Sequence, residues 1–228
     1  LRIAILETGR PPDRLSAFPS YAAMSAGLLG PDHTCTTFDV RAGAWPDPAA
    51  HEAFLITGSP AGVYDPLSWI AELIAFLRAL PAERKLVGIC FGHQVMAAAF
   101  GGRAEKSPRG WGLGLHTYDV VARAPYMDAG PSIAVPVSHQ DQVTVLPPGA
   151  RVLAGSAFTP YGVLEYGDRA ALSCQCHPEF GPDYARALTR DHRAAMQDPA
   201  LVERALASLD APHDSARLGG WIRRFLGS

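Results

Sequence analysis

The chain has 228 residues, a formal net charge of −2 and 48% apolar residues, the makeup of an ordinary globular protein. That length supports one sizeable α/β domain with a full core and is marginal for two. Near-neutral charge without a basic stretch argues against a nucleic-acid partner gripped through its phosphates, and no apolar run is long enough to span a bilayer.

The run to Leu6 leads straight into Glu7, without the apolar region of a secretory leader. Cys35, Cys90, Cys174 and Cys176 do not resemble a disulfide framework. Reduced thiols and a cytoplasmic setting are therefore expected.

In chain order, Arg2 to Leu6 reads as a buried strand and Arg14 to Leu29 as a helix that ends before Gly30-Pro31. Thr34 to Val40 is strand-like. Ala53 to Ile56 is a buried strand stopped by Thr57-Gly-Ser-Pro60. Leu67 to Leu80 has helical spacing, Leu86 to Cys90 is a strand, and Gln94 to Phe100 is a helix ending at Gly101-Gly102. This alternation predicts a parallel sheet with helices on both faces.

After Gly102 come six short strand-like stretches: 115–121, 133–137, 143–146, 151–154, 162–166 and 171–176. They predict a small mixed or antiparallel extension of the same sheet. Helices are expected over 183–196, 199–209 and 215–226, covering the sheet. The expected organisation is a single domain over 1–228, with 183–228 as its helical C-terminal extension.

Gly88-Ile-Cys-Phe-Gly92 lies between a buried strand and a helix. A nucleophile at such a junction takes a strained conformation at the apex of a sharp turn, and flanking glycines relieve the crowding. The adjoining helix N-terminus favours a thiolate, the attacking form of cysteine. The glycine pair alone fits a buried core cysteine as well as a nucleophile, and it also fits other α/β folds with such an elbow, α/β hydrolases among them.

Gln175-Cys-His-Pro-Glu-Phe180 supplies a second group. Pro178 biases His177 toward an extended conformation, in which residues two apart share a face. Glu179 can then reach the His177 ring, fix its tautomer and raise its basicity, completing a Cys–His–Glu triad with Cys90. His33, His51, His116, His192 and His213 carry no such context and are read as structural. Cys174-x-Cys176-His177 has no partner pair elsewhere and no C-x2-C spacing, so no metal is expected.

With both segments in view, the chain resembles the class I (triad) glutamine amidotransferases, in particular the free-standing branch akin to GMP-synthase amidotransferases, which also includes γ-glutamyl peptidases. Gly88-Ile-Cys-Phe-Gly-His-Gln94 matches the G-x-C-x-G-x-Q motif and Gln175-Cys-His-Pro-Glu179 the Q-x-H-P-E motif. Thr57 to Asp65 resembles the oxyanion loop, and Ser138-His-Gln-Asp-Gln-Val143 the S-H-x-D-x-V segment.

The resemblance implies a flavodoxin-like α/β fold. It also implies that Cys90 attacks a glutamine carboxamide to form a glutamyl thioester, that His177 moves the protons and that Glu179 orients His177. The oxyanion is expected between the backbone N–H groups of Phe91 and Ser59, on the loop at Gly58. Gln94, Ser138, Gln140 and Asp141 are expected to hold the α-amino and α-carboxylate end of the substrate. His139 matches its motif but is read as structural or orienting.

The family loop often reads Gly-Gly-Pro, and Ser59 stands at its second glycine; a backbone donor tolerates that change where the dihedrals do not demand glycine. No phosphate-binding glycine loop is present, so no cofactor is expected. Three functions remain: a glutaminase passing ammonia to a separate synthase, a stand-alone γ-glutamyl hydrolase, and a catalytically silent binding module. The intact triad speaks against the last.

Overall fold

A computed structural model of the chain describes residues 1–192 and 198–228. Strands Arg2–Glu7 (β1), Thr34–Asp39 (β2), Ala53–Ile56 (β3) and Lys85–Ile89 (β4) alternate with helices Tyr21–Leu29 (α1), Ser68–Ala79 (α2) and Phe91–Ala99 (α3). Then come Arg103–Lys106 (β5), Gly112–Val120 (β6), Ser132–His139 (β7), Asp141–Val145 (β8), Ala150–Gly155 (β9), Val163–Tyr166 (β10) and Ala171–Cys174 (β11). Helices Pro182–Asp191 (α4), Pro199–Ser208 (α5) and Ser215–Gly227 (α6) come last.

Nine strands form one sheet in the order β2-β1-β3-β4-β11-β10-β9-β6-β7. β2, β1, β3, β4 and β11 are mutually parallel. From β11 outward every pairing is antiparallel. This is the expected flavodoxin-like α/β sheet flanked by helices, with its antiparallel extension.

The central strands read as continuous apolar runs because both faces are covered. Ile3, Ile5, Leu55, Val87 and Ile89 pack with Leu218, Trp221, Ile222 and Phe225 of α6. On the other face, Ala4, Leu6, Phe54, Ile56 and Leu86 pack with Ile70, Leu73 and Leu77 of α2 and with Val95 and Met96 of α3. Each fully buried Ile or Leu contributes about 1.5–3 kcal/mol to this core. Among the described residues, no helix is long and apolar enough to cross a membrane.

Most element boundaries shift by one to three residues, and three larger differences from expectation matter. The first helix begins at Tyr21, not Arg14: Pro19 disfavours a helical conformation at Phe18, and Ser20 caps the helix by accepting from the Ala23 N–H at 3.1 Å. Residues 103–106 form a strand that the sequence reading left out. This β5 pairs with β8 in a separate two-stranded sheet, so 143–146 does not join the main one. α4 ends at Asp191, and residues 193–196 of the helix predicted over 183–196 lie outside the described residues.

Candidate active site

Three neighbouring parallel strands, β3, β4 and β11, end at the same sheet edge, and each delivers one part of the site. β4 runs into Cys90, whose backbone N–H donates to the Cys174 carbonyl at 2.8 Å. Cys90 has φ 54° and ψ −102°, and among the described residues it alone, apart from glycines, has positive φ. That strained apex turns the chain directly into α3, where the Cys90 carbonyl accepts from the Gln94 N–H at 3.1 Å.

The flanking glycines answer to space. A Cβ at Gly88 would lie 2.6 Å from the Gly92 carbonyl oxygen and 2.6 Å from Met96 Sδ, and a Cβ at Gly92 would run into the Ile56 carbonyl. Phe91 buries its ring in the core against Trp69, leaving its backbone N–H in the first turn of α3, where no carbonyl one turn earlier in the helix can receive it.

β11 runs into Gln175 to Glu179. The Phe180 N–H donates to the His177 carbonyl at 3.3 Å, closing a four-residue turn with Pro178 at its favoured second position. This turn brings Glu179 to the ring: Glu179 Oε1 lies 2.7 Å from His177 Nδ1. Both side chains are almost fully buried. Cys90 lies close enough to the same ring to act on its charge, and both residues border Gly58. Burial pushes the His177 pKa down, yet the Glu179 and Cys90 charges outweigh it and hold the imidazole well above its ordinary value.

β3 runs into Thr57 and Gly58. Thr8, at the end of neighbouring β1, clasps this loop: its N–H donates to Thr57 Oγ1 at 3.0 Å, and its hydroxyl donates to the carbonyls of Thr57 at 2.9 Å and Gly58 at 3.1 Å. A trans peptide points its N–H opposite its carbonyl, so the Ser59 N–H faces away from Thr8. Ser59 Oγ stays within the loop, accepting from the Ala61 N–H at 3.2 Å. Gly58 lies against both partners, since a Cβ there would be 3.1 Å from His177 Cε1 and 3.8 Å from Cys90 Cβ.

A cavity of about 590 Å³ opens over these groups, lined by Cys90, His177, Gly58, Ser59, Gln94, Ser138, Gln140 and Asp141 among others. Glu179 stands behind His177, and Phe91 follows Cys90 as the first residue of α3, its ring in the core outside the cavity lining. Gln94 turns inward: its amide nitrogen donates to the Asp141 carbonyl at 2.9 Å and to Gln175 Oε1 at 3.1 Å. Ser138 Oγ lies 2.9 Å from His192 Nε2.

Burial raises the Asp141 carboxyl above its ordinary value, against the pull of Tyr64 and Lys106. His139 is deeply buried, its pKa pushed down to about 3 chiefly by desolvation, and its Nδ1 meets the Asp141 carbonyl at 3.1 Å. Among the described residues no His, Cys, Asp and Glu cluster could hold a metal ion.

Several contributors escaped sequence reasoning. Phe180 stacks face to face on His177, with ring centroids 4.0 Å apart and planes 6° apart. Behind it, Tyr184 donates to the Tyr21 hydroxyl at 3.0 Å. Trp111 and His192, with centroids 4.7 Å apart, form a wall of the cavity with Leu188. Only Phe180 and Gln175, bordering the histidine segment, had a local signal.

The profile of class-I glutamine amidotransferases matches residues 39–192, which hold all of these strand ends except that of β1. The chain belongs to the class-I glutamine amidotransferase family. The chain is 32% identical to γ-glutamyl peptidase 4 of Arabidopsis thaliana, over 73% of the chain and 70% of the relative. It is 35% identical to a glutamine-hydrolysing GMP synthase of Thermus thermophilus over 56% of the chain, a region that makes up 24% of that synthase. A glutamine amidotransferase structure from Thermotoga maritima superposes over 100% of the chain and 99% of its own length, with a TM-score of 0.76 at 18% identity.

Proposed function

We propose that this class-I amidotransferase hydrolyses the side-chain amide of glutamine through Cys90, His177 and Glu179, releasing ammonia, as a single catalytic unit over residues 1–228. The observation that carries the reading is the convergence of three adjacent strand ends: a strained cysteine on a helix N-terminus, a buried imidazole 2.7 Å from a carboxylate, and a clasped glycine loop touching both. The Cys90 thiolate attacks the γ-carbonyl, and the oxyanion accepts from the backbone N–H groups of Phe91 and Ser59. Such a donor contributes about 3–4 kcal/mol to the transition state.

His177, charged at rest, gives its proton to the departing ammonia. It then takes one from water as the water attacks the glutamyl thioester. Glutamate leaves, the sulfur departs as thiolate, and His177 is again imidazolium. Glu179 holds the ring in the tautomer these transfers need. Ser138, Gln140 and Asp141 line the wall that would hold the α-end of the substrate, and their main-chain groups are the natural donors and acceptors there. In the glutaminase reading the ammonia passes to a separate synthase, the arrangement suggested by the likeness to part of a GMP synthase.

A second reading, a stand-alone γ-glutamyl peptidase, is favoured by the cavity. Beyond the polar wall it extends to Trp111, Leu188 and His192, an apolar and aromatic surface that ammonia does not need. Both readings are tested by ammonia release from glutamine and amine release from γ-glutamyl peptides. Wild type is expected to turn over at least one substrate, and Cys90→Ala to lose more than a thousandfold. Full activity in Cys90→Ala would sink the triad; turnover of peptides but not glutamine would select the second reading.

A further inference from the structure

Gln175 has no assigned role in the triad chemistry, although it is completely buried and touches the nucleophile. Its Nε2 lies 3.5 Å from Cys90 Sγ, and its Oε1 lies 3.1 Å from Gln94 Nε2. Which end of this amide faces sulfur follows from the partners. The Asp141 carbonyl can only accept, so Gln94 presents its NH2 there, at 2.9 Å. The second proton of that NH2 points to Gln175, which must therefore receive it on oxygen. The Gln175 NH2 is left facing sulfur. Turning both amides over would set Gln94 Oε1 against the Asp141 carbonyl, two acceptors with no proton between them.

We propose that Gln175 is a catalytic hydrogen-bond donor to the Cys90 sulfur, held in its donating orientation by Gln94 and the Asp141 carbonyl. The inference rests on the triad reading above. A thiolate accepts a hydrogen bond far better than a neutral thiol, so a fixed donor favours the anion. The same preference serves both halves of the reaction. The thiolate attacks in the first, and in the second it is the leaving group when water opens the thioester, where a less basic thiolate departs faster. The donor chain also links the nucleophile to the segment at Ser138 to Asp141 that faces the substrate.

The other titratable groups that interact with Cys90 are His177 beyond β11, Cys174 on β11, Tyr118 on β6 and Tyr21 on α1. Burial first of all raises Tyr21, to about 12, and Tyr118; the bond to Cys176 and burial raise Cys174. These three stay neutral near pH 7.

The test is the pH dependence of iodoacetamide alkylation at Cys90, read by peptide mass spectrometry so that Cys35, Cys174 and Cys176 do not contribute, alongside ammonia release from glutamine and amine release from γ-glutamyl peptides. Gln175→Met keeps the length and removes the donor. Its alkylation midpoint is expected about one pH unit above wild type, with kcat on whichever substrate wild type uses down about tenfold. Gln94→Met leaves Gln175 in place but frees it to turn over, and is expected to move the midpoint the same way by less. A folded Gln175→Met whose midpoint coincides with wild type overturns the proposal. If that variant does not fold, an unmoved midpoint in Gln94→Met overturns it. Failure of the triad reading looks different: wild type then turns over neither substrate, or Cys90→Ala keeps full activity, and the proposal falls with it.

Discussion

A methyl group at position 58 would sit 3.1 Å from His177 Cε1, tighter than ordinary van der Waals contact, and 3.8 Å from Cys90 Cβ. His177 is fixed on its other sides by Glu179 and Phe180, so it cannot yield freely. Gly58→Ala is therefore expected to lower kcat/KM by about a hundredfold, the scale of a small displacement of a reacting group. Its melting temperature should stay close to that of wild type, since the position faces the cavity. Steady-state kinetics and a thermal melt check this; a large fall in stability with unaltered kinetics would show that the glycine serves the loop instead. The His177 charge is open to a direct measurement. Burial alone would lower its pKa, and the charges of Glu179 and Cys90 reverse the sign. Cys90→Ala removes one of them, so the His177 ring resonance followed by NMR is expected to titrate at lower pH in that variant than in wild type.

The turn after β11 is the element on which the histidine depends. Phe180 closes it through its N–H, and its ring lies flat on His177 within a cluster that includes Tyr21, Tyr184 and Leu188. Phe180→Leu keeps an apolar side chain but loses the flat face. Kcat is expected to fall about tenfold while stability drops by less than about 1.5 kcal/mol, measured by steady-state kinetics and urea denaturation. Equal kinetics would assign Phe180 to packing alone. Sequence reasoning found His177, Pro178 and Glu179 as a unit but took their meeting to follow from extended alternation. A turn closed by a backbone bond makes the contact instead. The same limit explains α1: one proline and one serine cap decided its start, and apolar spacing over 14–29 does not register them. It also explains β5, whose Arg103-Ala-Glu-Lys106 carries little apolar signal and is a strand only because β8 lies beside it.

Across the whole molecule, the sheet edge holding the site depends on an order the sequence does not print. The strand character of β3, β4 and β11 is legible, but that β11 returns beside β4 after the excursion through β5 to β10 is a matter of topology, and it sets His177 beside Cys90. The far end of this assembly is secured by α6. Lys85, at the start of β4, donates to the Phe225 carbonyl at 3.1 Å and to that of Leu226 at 2.8 Å, satisfying the free end of the helix.

Asp128, on the loop between β6 and β7, fastens the same helix. It accepts from Arg217 Nη2 at 2.7 Å, from Trp221 Nε1 at 2.9 Å and from the Gly130 N–H at 2.9 Å. Trp221 is fully buried, so Asp128→Ala strands its N–H and should cost about 1–3 kcal/mol at pH 7 by urea denaturation. The pH dependence fixes the mechanism. The hydrogen bond from Arg217 chiefly holds the Asp128 carboxyl well below the carboxylate range, against a smaller opposing effect of burial. A depressed folded-state pKa gives stability that is complete above the unfolded value of about 3.9 and lost as pH falls through the folded one. The stability gap between wild type and Asp128→Ala should therefore be constant above pH 5 and narrow below about pH 4. A gap that holds its full size into strong acid would mean that Asp128 acts through shape rather than charge.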